Sequence, residues 1–266
     1  MSNSSRVICG NSKELLFNDE EIPQGHIDLT VTSPPYGNRR YYNSFDFNDE
    51  SFKKIVRGLY RVTKDSGVVA WVVGDHYING SETLVPFQQA LYFKHIGFKV
   101  HDTMIYKKKS VAFPDSNKYY QSFEYMFVFV KGKIKTFNLI KDRRNKQYGR
   151  VIRNTKRRTD GTMERVLKNK LKEFGVRHNI WEYDIGYMKS TTDKIAFKHP
   201  AIFPDKLARD HILSWSNEGD IVLDPFCGSG TVGKMCKILK RDFIGIDISK
   251  EYCDLSVKRI NNVQTQ

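Results

Sequence analysis

Ile221-Val222-Leu223-Asp224-Pro225-Phe226-Cys227-Gly228-Ser229-Gly230-Thr231-Val232-Gly233 decides how this chain is read. Three apolar residues make a short buried strand that Asp224 closes. Two glycines then permit a tight turn and a close approach of the backbone to a ligand. Val232 to Leu239 continues as a helix, whose first turn offers free N–H groups. Gly228 to Gly233 matches G-x-G-x-x-G, which also fits nicotinamide dinucleotide binding. The next strand, Phe243 to Ile246, leads to Asp247, about 20 positions on, where an acid can hold ribose hydroxyls.

The same alternation extends outward. Ile27 to Val31 is an apolar strand that runs into Thr32-Ser33-Pro34-Pro35-Tyr36. Phe52, Ile55, Val56 and Leu59 share one face of a helix over Phe52 to Val62. Val68 to Val73 reads as a buried strand between Gly67 and Gly74, Leu84 to Ile96 as a helix stopped by Gly97, and Phe98 to Ile105 and Phe123 to Val130 as strands. A helix over Asp205 to Trp215 and a final helix from Lys250 complete the pattern. Strands alternating with helices predict an α/β fold, a mixed and mostly parallel sheet with helices on both faces. Residues 133–198 break the alternation and are basic, polar and irregular. The predicted organisation is a first part over 1–132, a recognition insertion over 133–198 and a cofactor-binding part over 199–266.

The chain has 266 residues, 39% hydrophobic, enough for one large domain or one domain with an insertion. Of the formal charge of +14, +10 falls between Lys141 and Lys172, which suits a polyanionic partner whose counterions are released on binding. The four cysteines are scattered and form no CxxC pair, which argues against a zinc ribbon or disulfide scaffold and fits reduced thiols in a cytoplasm. The histidines show no metal-ligand spacing such as HExxH. The first residues carry no apolar signal core, and no apolar run is long enough to span a membrane.

Chemistry separates the candidate ligands. A carboxylate at Asp224 accepts hydrogen bonds from an ammonium group and repels a pyrophosphate. Only 19 residues follow Asp247, too few to finish a nicotinamide domain in the usual order. At the other motif, Ser33 and the Pro34 carbonyl offer acceptors for the hydrogens of an exocyclic amine. Proline holds that carbonyl rigidly, and Tyr36 offers a ring on which an extruded base can stack.

Together, Thr32-Ser33-Pro34-Pro35-Tyr36 and Asp224-Pro225-Phe226-Cys227-Gly228-Ser229-Gly230-Thr231 resemble the signatures of the S-adenosylmethionine-dependent DNA amino-methyltransferases. Their order, catalytic motif before cofactor motif, resembles the β group. The resemblance covers nearly the whole chain outside the insertion. It implies a Rossmann-like methyltransferase fold, S-adenosylmethionine as cofactor, double-stranded DNA as substrate, a cognate restriction endonuclease as a further partner, and neither metal nor membrane. Catalytic roles fall on Ser33, Pro34, Pro35 and Tyr36. Cofactor-binding roles fall on Asn11, Pro200, Phe203, Asp224, Phe226, Cys227, Gly228, Ser229, Gly230, Thr231, Asp247 and Ile248; Pro200 and Phe203 belong to the family's additional cofactor motif, Lys198 to Leu207. Serine at the first catalytic position resembles cytosine-N4 enzymes, and aspartate or asparagine there adenine-N6 enzymes. DNA contacts are expected from Arg39 and Arg40, from Arg143, Arg144, Arg153, Lys156, Arg157 and Arg158 in the insertion, and from phosphate attraction by Lys107-Lys108-Lys109. A carbon-5 cytosine enzyme would need a nucleophilic Pro-Cys, which is absent. A non-catalytic DNA-binding protein of the same fold is the rival of another class.

Overall fold

The computed structural model describes residues 5–35, 47–110, 119–152, 155–165 and 169–263. Its main sheet has eight strands: β1 (Arg6–Cys9), β2 (Ile27–Thr32), β3 (Thr63–Val73), β4 (Lys99–Lys108), β5 (Phe123–Val130), β6 (Ile180–Tyr183), β7 (Ile221–Asp224) and β8 (Asp242–Asp247). Their order across the sheet is β1-β8-β7-β2-β3-β5-β4-β6. Only β5 runs against its neighbours; every other pairing is parallel. The helices are α1 (Ser12–Leu15), α2 (Asp49–Val62), α3 (Val85–Ile96), α4 (Asp205–Trp215), α5 (Thr231–Ile238) and α6 (Lys250–Asn261). This is the mixed, mostly parallel α/β sheet that the alternation predicted.

Strands covered on both faces must be apolar throughout, and β3 is: from Gly67 to Val73 every residue is buried. Trp71 at its centre is fully buried and donates its indole N–H to Gln89 Oε1 at 2.8 Å, so no polar atom of the ring is stranded. Phe52 of α2, Phe93 of α3 and Phe129 of β5 pack around it, with Phe93 and Phe129 stacked at 4.1 Å. Burying one such side chain stabilises the fold by about 1.5–3 kcal/mol. Asn48 caps α2 by accepting from Ser51 N at 2.9 Å, and Asp49 and Glu50 complement the positive end of that helix.

The elements differ from the sequence expectation at their margins. β3 starts at Thr63, before Gly67, through an irregular register against β2. β1 and β6 were not anticipated, and β6 adds an edge strand parallel to β4, pairing Trp181 with Tyr106. The first and last parts of the chain build one sheet together.

Residues Leu139–His178 form a second compact unit, narrower than the insertion expected over 133–198. It is one antiparallel ribbon. Arg143–Arg144 pairs with Phe174–Gly175, Val151–Ile152 with Asn169–Lys170, and Thr155–Arg157 with Met163–Arg165. Arg158 N donates to Thr162 O at 2.8 Å, and the Asp160 carboxylate accepts from Thr162 N and Oγ1 at 2.9 and 2.7 Å, which closes the tip.

Candidate functional site

Parallel strands bring their carboxyl ends to one edge, and ligands bind there. Here β2, β7 and β8 end at Thr32, Asp224 and Asp247, around a cavity of about 550 Å³. Ser33, Pro34 and Pro35 line it, as do Asp224, Phe226, Cys227, Gly228, Ser229, Thr231, Asp247 and Ile248. Asn11, Pro200 and Phe203 also reach it. The two motifs meet directly: Thr32 Oγ1 donates to Asp224 Oδ1 at 2.7 Å across 192 residues of sequence.

The two carboxylates set the electrostatics. Burial raises the Asp224 pKa to about 7; the Thr32 hydroxyl and the Phe226 N–H, at 3.1 Å, oppose that rise, and the Asp247 charge adds to it. Burial raises Asp247 as well, against hydrogen bonds from the backbone N–H groups of Ser249, Gly228 and Ile248. Gly228 N reaches Asp247 Oδ2 and Ser249 N reaches Oδ1, both at 2.9 Å, so this carboxylate also stitches the glycine turn to the loop after β8. Two carboxylates raised in this way favour a ligand that brings a cation and hydroxyl donors, and disfavour a pyrophosphate.

The turn owes its shape to its surroundings. At Gly228, with φ +47°, a Cβ would lie 2.9 Å from His199 Nε2. At Gly230, with φ +76°, it would lie 2.3 Å from Ser256 Oγ and 2.9 Å from Ser256 Cα. A side chain at Gly230 would therefore run into α6; this glycine stands at the start of α5, with no side-chain cap bond there. Asn11 lines the cavity, but its Oδ1 already accepts from Lys13 N at 3.0 Å as the cap of α1. Cys227 is buried and its thiol pKa is pushed up by burial first, which fits a packing role.

A profile of the DNA methylase family matches residues 27–258, a span holding both motifs. The chain belongs to the N6/N4 DNA methylase family. The methylase is 60% identical to the orphan methyltransferase M.BamHII of Bacillus amyloliquefaciens over 91% of this chain and 92% of that one. It is 30% identical to the type II methyltransferase M.HpaI of Haemophilus parainfluenzae over 97% and 74% of the two chains. Among solved structures it resembles the cytosine-N4-specific PvuII DNA methyltransferase, with a TM-score of 0.68 at 18% identity over 99% and 89% of the chains. It also resembles M1.HpyAVI solved as a complex with SAM, with a TM-score of 0.62 at 24% identity over 96% and 98%.

The remaining expected residues of the methylase fall in three groups. Tyr36, Arg39, Arg40 and Arg153 lie outside the described residues. Arg143, Arg144, Lys156, Arg157 and Arg158 are exposed on the ribbon; Arg143 Nε donates to Val176 O at 3.1 Å, and Arg158 pairs with Glu164 at 3.1 Å. Lys107, Lys108 and Lys109 pair with Glu182, Glu124 and Asp184 at 3.1, 2.5 and 3.3 Å, so each carries a carboxylate neighbour. Trp181 packs on the buried His211 ring at 4.9 Å, a structural role. Among the described residues no helix is long and apolar enough to cross a membrane, and no cluster of three or more His, Cys, Asp or Glu could hold a metal ion.

Several site residues escaped the sequence reading. Thr32 was seen only as the first letter of its motif, yet it binds Asp224. His199 turns its Nδ1 toward the Ala201 carbonyl at 2.7 Å and sets its ring against Tyr252 at 4.4 Å, which packs that wall. Tyr106, Lys108 and Glu124 line the cavity beyond Pro35. Glu124 faces Tyr106 across the sheet, a cross-strand pairing that only the register of β4 on β5 reveals.

Proposed function

We propose that this DNA methyltransferase moves a methyl group from S-adenosylmethionine to the N4 amine of a cytosine turned out of double-stranded DNA. The observation that carries the reading is the joining of Ser33-Pro34-Pro35 and the Asp224–Asp247 pair at one cavity, through the 2.7 Å bond between Thr32 and Asp224. The donor fits this donor set: Asp224 takes its ammonium group, Asp247 its ribose hydroxyls, and Phe203 and Pro200 flank its methionine arm. Bound there, it supplies a methyl group made electrophilic by an adjacent sulfonium.

The chain's own residues act on the base. An exocyclic amine is a poor nucleophile because its lone pair is delocalised into the ring. Ser33 Oγ and the Pro34 carbonyl accept its two hydrogens and draw the nitrogen toward tetrahedral geometry, which frees the lone pair. This bonding is strongest as charge develops, so it lowers the barrier more than it tightens binding. Pro35 fixes the chain direction after that carbonyl. Holding amine and methyl in line removes much of the entropic cost of the encounter. The surplus proton on nitrogen leaves to water.

Serine at position 33 supports cytosine N4 over adenine N6, and the PvuII enzyme of like fold is named cytosine-N4-specific. The DNA adenine methyltransferase YhdJ of Escherichia coli is 28% identical over 91% of this chain, so adenine is the alternative outcome. The basic ribbon suits DNA: a two-stranded β-ribbon fits the major groove, and Lys156 and Arg157 flank its tip. A companion endonuclease accords with the type II names of several relatives, whereas the relative at 60% identity is named an orphan. Methylation-aware sequencing of DNA from cells expressing the protein tests the reading. We expect N4-methylcytosine within one short motif; methylation confined to adenine would move the target to N6.

A further inference from the structure

Arg259 lies near the end of the last helix, where an arginine ordinarily points to solvent, yet it is 2% exposed. Its guanidinium reaches two segments that wall the cavity. Toward the glycine turn, Nη1 donates to Ser229 O at 3.1 Å, to Ser229 Oγ at 3.2 Å and to Thr231 Oγ1 at 2.8 Å. Toward the segment that carries His199, Pro200 and Phe203, Nη2 donates to Thr191 Oγ1 at 3.0 Å and to Asp205 Oδ1 at 2.9 Å, and Nε to Asp193 Oδ2 at 2.8 Å. Lys234 on α5 joins the same carboxylates, at 2.8 Å from Asp193 and 2.7 Å from Asp205. Two cations thus face two carboxylates.

The placement is unusual in energetic terms. Thr231 is the first residue of α5, and the positive end of a helix repels a cation. Taking a guanidinium out of water adds a further penalty, and an apolar side chain of like volume would pack there without either cost. Asp193 and Asp205 offset the charge, but the arrangement is better understood by what it fixes. A planar fork with five N–H donors sets several acceptors in one geometry, which neither an apolar residue nor lysine can do. The acceptors it fixes are the Ser229 carbonyl and the Thr231 hydroxyl at one end and the start of α4 at the other. The first pair sets the pitch of the turn whose Gly228 N–H meets Asp247. The second sets the distance of Pro200 and Phe203 from that turn.

We propose that Arg259 is a positioning residue for the methyl donor: it clamps the Gly228–Thr231 turn to the Thr191–Asp205 segment and so sets the width of the donor-binding half of the cavity. It touches neither donor nor base. The proposal rests on the reading above that this cavity takes S-adenosylmethionine.

Titration calorimetry with S-adenosylmethionine on the full chain, together with steady-state rates, tests it in the wild type, Arg259→Met, Arg259→Lys and Thr191→Val. We expect Arg259→Met to weaken donor affinity by about tenfold or more, the scale of lost charge-assisted bonds. The KM for the donor should rise in parallel, while kcat at saturating donor and the affinity for DNA change far less. Arg259→Lys keeps the charge without the fork and should weaken the donor nearly as much. Thr191→Val deletes one acceptor on the far segment and should act in the same direction, more weakly. A purely structural role predicts the reverse split: a lower melting temperature and kcat with an unchanged donor KM, and that result overturns the proposal. Should Arg259→Met fail to fold, wild-type donor affinity in both other variants overturns it. If the wild type itself does not bind the donor, the reading of the cavity falls and this proposal with it; if the wild type binds and no variant is affected, this proposal falls alone.

Discussion

The glycine turn over Gly228–Thr231 and the ribbon over Leu139–His178 are built on opposite physical terms. The turn is held by buried groups: Asp247 grips Gly228, Arg259 grips Ser229 and Thr231, and α6 lies directly behind Gly230. The ribbon is held by short backbone ladders, and its described side chains are mostly exposed, about a third of its residues being Lys or Arg. A site that must recognise one small molecule benefits from a geometry fixed in advance. A surface that follows a polyanion relies on charge, whose attraction tolerates imprecise placement but fades in salt.

Matched glycines separate the two regions most sharply. Gly230 and Gly161 both have a left-handed φ, +76° and +86°, but only at Gly230 would a Cβ meet other atoms. Gly161→Ala should cost about 1 kcal/mol, the conformational penalty alone. Gly230→Ala adds a clash with the backbone of Ser256 and should cost about 3 kcal/mol or more. Equal shifts in melting temperature would mean that the turn is no more tightly packed than the ribbon tip.

Next in size is Ser33→Ala. It should lower the rate of methyl transfer by about 100-fold, the scale of one bond made mainly in the transition state, with donor and DNA affinities nearly unchanged. Equal losses in rate and binding would show that Ser33 only helps to hold the base.

Asp224 adds a pH signature that the ribbon should lack. Its folded pKa of about 7 stands above the ordinary 3.8, so the neutral acid prevails below pH 7. Binding an ammonium needs the carboxylate. Donor affinity should therefore rise by up to about tenfold per unit as pH climbs toward 7, then level off. Stability of the free protein runs the other way. The stabilisation linked to this raised pKa is fully present below about pH 4 and is lost as pH rises through about 7. Calorimetry between pH 6 and 8 checks the first sign and thermal melts between pH 4 and 8 the second, and Asp224→Asn should flatten both curves.

The smallest effect belongs to the ribbon. Each phosphate neutralised contributes about −0.9 to the slope of log K against log salt. Neutralising Arg157 and Arg158 together should flatten the slope by up to about 2 units, with Arg158 the weaker contributor because Glu164 sits 3.1 Å from it. An unchanged slope would take the tip of the ribbon out of the DNA interface.

What the sequence revealed and what it hid follow the same division. β5 and α4 have the bounds expected of them because their apolar patterns are continuous and end abruptly. The glycine turn was legible because only a few residue types satisfy its backbone. β1 escaped notice because just two of its four residues are even half-buried, and β6 because an edge strand is defined by a distant partner, Ile105 to Lys108. The ribbon's strands of two or three residues are too short to show alternation. Arg259 was invisible because a basic residue on a terminal helix reads as solvated; only the acceptors gathered around it, 28 to 68 residues away along the chain, show otherwise.

Transfer of an isotopically labelled methyl group from S-adenosylmethionine to a duplex carrying the recognition motif, followed by nucleoside mass analysis, tests whether Ser33 drives transfer to the N4 amine of cytosine. The wild type should place label on the N4 amine of cytosine, and Ser33→Ala only about a hundredth as much in the time of one wild-type turnover although that variant still binds the donor. Label found only on adenine, or full transfer by Ser33→Ala, would contradict that.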